Sequence, residues 1–123
     1  MDIQIPGIDM EKVLDLYEGD TDLFVIVSRS YVSNAPAVLD KLRLIENPNV
    51  SAEALADYAV NIHSIKGTSA TIGAEETRIA ALNLEKMAKA GNLSGVIAEN
   101  KTFLENTDKL INDIRRWLRQ FDG

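Results

Sequence analysis

The chain contains no cysteine, which excludes a disulfide framework, a thiol nucleophile and any thiolate metal site. It has one histidine, His63, so a centre built from several imidazoles is excluded as well. Basic residues are in deficit. Thirteen Lys and Arg against nineteen Asp and Glu give a net charge of −6, and the isoelectric point lies near 4.7. Such a surface repels phosphate backbones and anionic lipids, so neither nucleic acid nor a membrane surface is an expected partner. No apolar run approaches the roughly 18 residues of a membrane span, and no basic stretch leads into an apolar one at the N-terminus. These absences predict a soluble, cytoplasmic protein. Its 123 residues form one domain, 1–123, long enough to bury a core without staples.

Strand signals are nearly missing too. Phe24, Val27, Tyr31, Val38, Leu42 and Ile45 recur at helical spacing and predict a helix from Asp22 to Glu46, capped by Asp20, Thr21 or Asp22. Pro36 lies inside it and predicts a kink near 32–35, because proline removes a backbone bond there. Ahead of it, Ile8, Val13, Leu14 and Tyr17 predict a short helix ending at Gly19. Glu46-Asn47-Pro48-Asn49 is a turn by composition. Ser51 then caps a helix whose seam is Leu55, Tyr58, Ile62, Ile65, Ser69 and Ile72, in alternating steps of three and four, the rhythm of bundles. Gly73 ends it. A further helix runs from Glu75 to Ala90, with Ile79, Leu82, Leu84 and Met87 as core residues and Gly91 as its stop. The last spans Ser94 to Phe121 through Ile97, Leu104, Ile111, Ile114, Leu118 and Phe121, and Arg115, Arg116 and Arg119 complement its carbonyl end. Short loops favour antiparallel neighbours. The predicted fold is all-α: an up-down-up-down four-helix bundle with a short extra N-terminal helix.

His63 carries the chemical argument. At 100° per residue it points about 130° away from the Leu55–Ile72 seam and therefore outward. Ala56, Ala59, Gly67, Ala70 and Ala74 share its face, and Val60 and Lys66 flank it. Exposed helix faces are ordinarily charged and long-chained; this one is cleared. A lone surface histidine usually does nothing, and alanine is the best helix former, so a bland reading exists. Gly67 speaks against it. A glycine inside a helix costs about 1 kcal/mol relative to alanine, and this one stands one turn from His63 on the same face. Space beside the imidazole is the simplest benefit to offset that cost. A neutral imidazole nitrogen is a nucleophile near pH 7, and Lys66 can balance the charge of a phosphoryl group placed on it. Clearance, nucleophile and cation together point to phosphoryl transfer with a partner docked on Ala56, Ala59, Val60, Gly67, Ala70 and Ala74.

The run His63-Ser64-Ile65-Lys66-Gly67-Thr68-Ser69-Ala70-Thr71-Ile72-Gly73-Ala74 resembles the HxxKGxxxxxGA signature of histidine-containing phosphotransfer domains. Leu84-Glu85 and Ala88-Lys89-Ala90-Gly91-Asn92 fit the next helix and turn of that family, and Ile5-Pro6-Gly7-Ile8-Asp9 fits its lead-in. The similarity spans nearly the whole chain, but only the twelve-residue motif is specific. It implies a bundle that relays a phosphoryl group between its histidine and the aspartates of receiver domains, in response regulators or hybrid sensor kinases. By motif position His63 is the phosphorylated residue, at Nε2. The same resemblance implies that Lys66 is to steady the phosphoryl group and Gly67 to give the receiver access. The resemblance implies no cofactor on this chain, with magnesium supplied by the receiver, and a monomer that works in the cytoplasm, free or at the cytoplasmic end of a membrane-anchored kinase. Pro36 departs from the pattern, since that helix is usually continuous.

Other residues carry less. Glu75-Glu76 reads as a solvated face, and Glu85 as a surface or capping charge. Asn61 and Ser64 adjoin His63 in sequence but point to other faces. No glycine-rich phosphate loop is present, so the chain is not a kinase by itself. Two alternatives stand beside the relay: direct phosphorylation by an ATP-dependent kinase module, and a bundle that only docks partners and carries no phosphoryl group.

Overall fold

Each helix but one begins where a short polar side chain can accept from the free N–H groups of a first turn. In the computed structural model, which describes residues 5–47 and 51–121, Asp9 accepts from the Lys12 amide and starts α1, Met10–Tyr17. Asp20 accepts from Leu23 and starts α2, Thr21–Arg43, which tightens into a 3₁₀ turn over Leu44–Glu46. Ser51 accepts from Ala54 and starts α3, Ala52–Thr71. The exception, α4, spans Glu75–Lys89 with no side-chain cap and two glutamates in its first turn. Asn92 accepts from Gly95 and starts α5, Leu93–Leu118, which closes in a 3₁₀ turn over Arg119–Phe121. Two stops use glycine's tolerance of positive φ. At Gly73 (70°) and Gly91 (74°) the following amides reach back to Ser69 and Met87, satisfying carbonyls the helix ends leave free. The predicted turn residues Pro48 and Asn49 lie outside the described residues.

Every regular element among the described residues is helical. The four long helices pack in a ring, α2 on α3, α3 on α4, α4 on α5 and α5 back on α2. Phe24, Leu39, Leu42, Ile62, Ile65, Ile72, Leu84, Val96 and Ile114 fill the centre, each almost wholly buried. The α3 seam follows the predicted rhythm: Tyr58, Ile62, Ile65, Ser69 and Ile72 are buried and Leu55 is half-buried. Two buried polar links cross the core. Tyr31 Oη lies 2.9 Å from Ser69 Oγ, and Tyr58 Oη donates to Asn100, whose amide donates to the Leu42 carbonyl.

Four residues of the predicted apolar pattern are exposed instead, Leu14 on α1 among them. Ile79 points away from the α4 face formed by Ala81, Leu84, Glu85 and Ala88, and Ile97 lies at the edge of the broad α5 stripe. Phe121 falls in the closing 3₁₀ turn, exposed but with its ring 4.9 Å from that of Trp117. Pro36 does not end α2, which runs unbroken across it. The carbonyl that proline orphans is that of Val32, and it accepts from Arg115 Nη2 on α5 at 3.2 Å.

The short α1 lies against the turn that follows α3. The Asp9 amide donates to the Gly73 carbonyl, Tyr17 Oη donates to the Thr71 carbonyl, and Lys12 pairs with Glu75. A Cβ at Gly73 would stand 2.9 Å from Val13 and 3.0 Å from the Asp9 oxygen, so the approach requires glycine for space as well as for φ. Among the described residues no helix is long and apolar enough to cross a membrane.

Candidate functional site

With its seam turned inward, α3 holds His63 on the opposite side, where the imidazole side chain is 64% exposed. Ala56, Val60 and Gly67 are exposed around it, while Ala59 and Ala70 are half-buried on its flank. A Cβ built on Gly67 meets nothing within 4 Å, so the glycine faces open space. Ala74 does not belong to this strip. It is fully buried, because Gly73 ends the helix and the angular rhythm of α3 does not extend past it.

The larger departure is Glu85. On α4 it shares the inward face of Ala81, Leu84 and Ala88, and only 3% of its side chain is accessible. It is not a surface charge. Its Oε1 accepts from Lys66 Nζ at 2.6 Å, and its Oε2 lies 2.7 Å from His63 Nδ1 and 3.1 Å from Lys89 Nζ. The Lys66 ammonium foremost, with help from Lys89 and His63, holds the Glu85 carboxyl down to about 2, against the effect of burial. Glu85 is therefore ionised at neutral pH and can only accept.

That fixes the imidazole. Facing an acceptor, Nδ1 must carry the proton and donate it, which in the neutral ring leaves the lone pair on Nε2. Nε2 has no partner among the described residues. The ring borders a shallow depression of about 280 Å³ lined by Ala59, Val60, His63, Glu85 and Lys89. In its neutral form the ring supplies a nucleophilic nitrogen, with a carboxylate to balance positive charge on it and the exposed Lys89 ammonium beside the depression.

Lys66, expected beside His63, is 24% exposed and bound to Glu85. Sequence reasoning missed the roles of Glu85 and Lys89. The available signal was the spacing of Glu85, one residue after Leu84, four after Ala81 and three before Ala88. The Glu75-Glu76 pair stays outside the site: Glu75 is bound by Arg78, at 2.7 Å, and by Lys12. No protein-family model, no curated protein and no solved structure matches this chain.

Proposed function

We propose that the chain is a phosphorelay intermediate, an up-down-up-down four-helix bundle that takes a phosphoryl group from a receiver aspartate onto His63 and passes it to another receiver. The observation that carries this reading is the exposed imidazole whose Nδ1 is bound to the buried Glu85 carboxylate. The motif resemblance around His63 agrees with it. In the transfer, the Nε2 lone pair attacks phosphorus, the P–O bond to the aspartate breaks, and the aspartate leaves as a carboxylate. No proton moves, since Nδ1 keeps its proton and goes on donating it to Glu85, and the positive charge gained by the ring faces that carboxylate. The reverse step hands the group to the next aspartate. Magnesium arrives with the receiver and offsets charge on the phosphoryl oxygens. Ala56, Val60 and Gly67 leave room for a receiver to bring its aspartyl phosphate into line with Nε2.

Incubation with a panel of phosphorylated receivers tests the reading. Label is expected to move to the wild-type protein as an acid-labile, alkali-stable phosphoramidate, and not to His63→Gln. That variant should lose no more than about 1.5 kcal/mol, since it gives up one hydrogen bond to Glu85, which keeps Lys66 and Lys89. Label surviving in His63→Gln would remove His63 as acceptor. Label arriving only from a kinase with ATP would replace the relay with the direct-kinase alternative.

A further inference from the structure

The two lysines at the site differ. Lys66 Nζ is 2.6 Å from Glu85 Oε1, its side chain is mostly covered, and it does not line the depression beside His63. Lys89 is 66% exposed, makes a longer contact of 3.1 Å, and does line that depression. Its contact is with Oε2, the oxygen that also receives His63 Nδ1. Lys89 Nζ therefore stands no farther from the ring than two hydrogen bonds through one shared atom. A mobile four-carbon stem on an exposed ammonium can leave a weak contact and follow a new anion; a pinned one loses a short bond to do so.

From this asymmetry we infer that Lys89, not Lys66, is the residue that binds the phosphoryl group on His63, while Lys66 is a positioning residue that holds Glu85 against the ring. The inference rests on the relay reading for its biological meaning, but its chemistry does not. When a phosphoryl group occupies Nε2, Lys89 turns from Oε2 toward the phosphoryl oxygens. Glu85 keeps Lys66 and the Nδ1 proton, so the ring stays oriented through the exchange. The charged side chain in contact with the ring is Glu85 from α4, which in turn holds Lys66 from α3 and Lys89 from α4.

The test uses phosphoramidate, a small donor that needs no receiver. Nε2 attacks its phosphorus, the P–N bond breaks and ammonia leaves, so an exposed imidazole is labelled whether or not the protein is a relay. On the intact chain, ³¹P NMR then follows the lifetime of the phosphohistidine and the titration midpoint of its phosphoryl group. Lys89→Gln is expected to shorten the lifetime by about fivefold, the effect of one partly exposed ionic contact, and to raise the midpoint. Lys89→Arg should restore both. Lys66→Gln should leave the midpoint in place but disturb the ¹⁵N signature of Nδ1–H. The inference is overturned if Lys89→Gln matches wild type in both readouts, or if Lys66→Gln moves the midpoint as far as Lys89→Gln does. Failure of every receiver to exchange label would count against the relay alone, because chemical labelling still reports on Lys89.

Discussion

Replacing Gly67 should drive stability and function in opposite directions. The residue lies inside α3, one turn after His63, and a Cβ placed there meets nothing within 4 Å. Nothing clashes, so a side chain brings only its helix propensity. Gly67→Ala should recover about 0.8–1.0 kcal/mol and Gly67→Gln several tenths, raising the thermal midpoint by a few degrees. The side chain of a helical residue leans back over the preceding turn, which puts a glutamine at 67 over His63. In-line transfer needs donor and nucleophile at about 3 Å, and a misplacement of about 1 Å costs on the order of 100-fold. Receiver-to-protein transfer should therefore fall at least about tenfold in Gly67→Gln and much less in Gly67→Ala. Phosphoramidate, too small to be displaced by the new side chain, should label both variants at close to the wild-type rate. Stopped-flow transfer beside a urea melt decides the matter. A stabilised Gly67→Gln variant that still accepts label from receivers at the normal rate would refute the idea that this face is cleared for docking.

Three further outcomes are expected. Glu85→Gln removes the obligate acceptor, so the ¹⁵N shifts of His63 should move from an Nδ1–H form toward a tautomer mixture, with a loss of about 1–3 kcal/mol; an unchanged tautomer would show that Glu85 does not orient the ring. Both Glu85 and Glu75 have carboxyls lowered to about 2 from an ordinary 4.5, the first chiefly by Lys66 and the second chiefly by Arg78. Their stabilising effect is fully present above the ordinary value and is lost as the pH falls toward 2, so the urea midpoint should drop across that window and drop less in Glu85→Gln and Glu75→Gln. Finally, Arg115→Ala should cost up to about 0.5–1.5 kcal/mol in the wild type and almost nothing beside Pro36→Ala, where residue 36 again donates to the Val32 carbonyl; equal costs in both backgrounds would show that Arg115 does not compensate for the proline.

The α3 helix was the most legible part of the chain because its seam is made of large apolar residues at strict spacing, which also fixes His63 and Gly67 on the far side. On α4 the span and Leu84 were legible, but the rest of the inward face was not, for the converse reason. Its inward face is built on Ala81 and Ala88, whose hydrophobic signal is weak, so Ile79 outweighed them on paper although it faces solvent. Ala74 failed at a boundary, where a wheel continued past a glycine with φ of 70° no longer describes direction. The polar compensation for Pro36 was invisible because its donor, Arg115, is 83 residues from Val32.

Glu85 was hidden by pairing as well as by small neighbours. A carboxylate is scored as surface by default, since burial is costly unless a partner is supplied, and two of its partners sit on another helix, 19 and 22 residues away in sequence. The alanines link the two errors. Ala59 and Ala70 are half-buried on the Lys66 side of His63, and Ala81 and Ala88 are buried on α4, in the most extensive helix pairing of the fold. Small side chains on both helices let the backbones approach until a glutamate can reach the imidazole. The strip read as room for a partner is thus divided: Ala56, Val60 and Gly67 keep the outer face open, while Ala59 and Ala70 are half-buried, Ala59 beside Glu85 and Lys89 of α4.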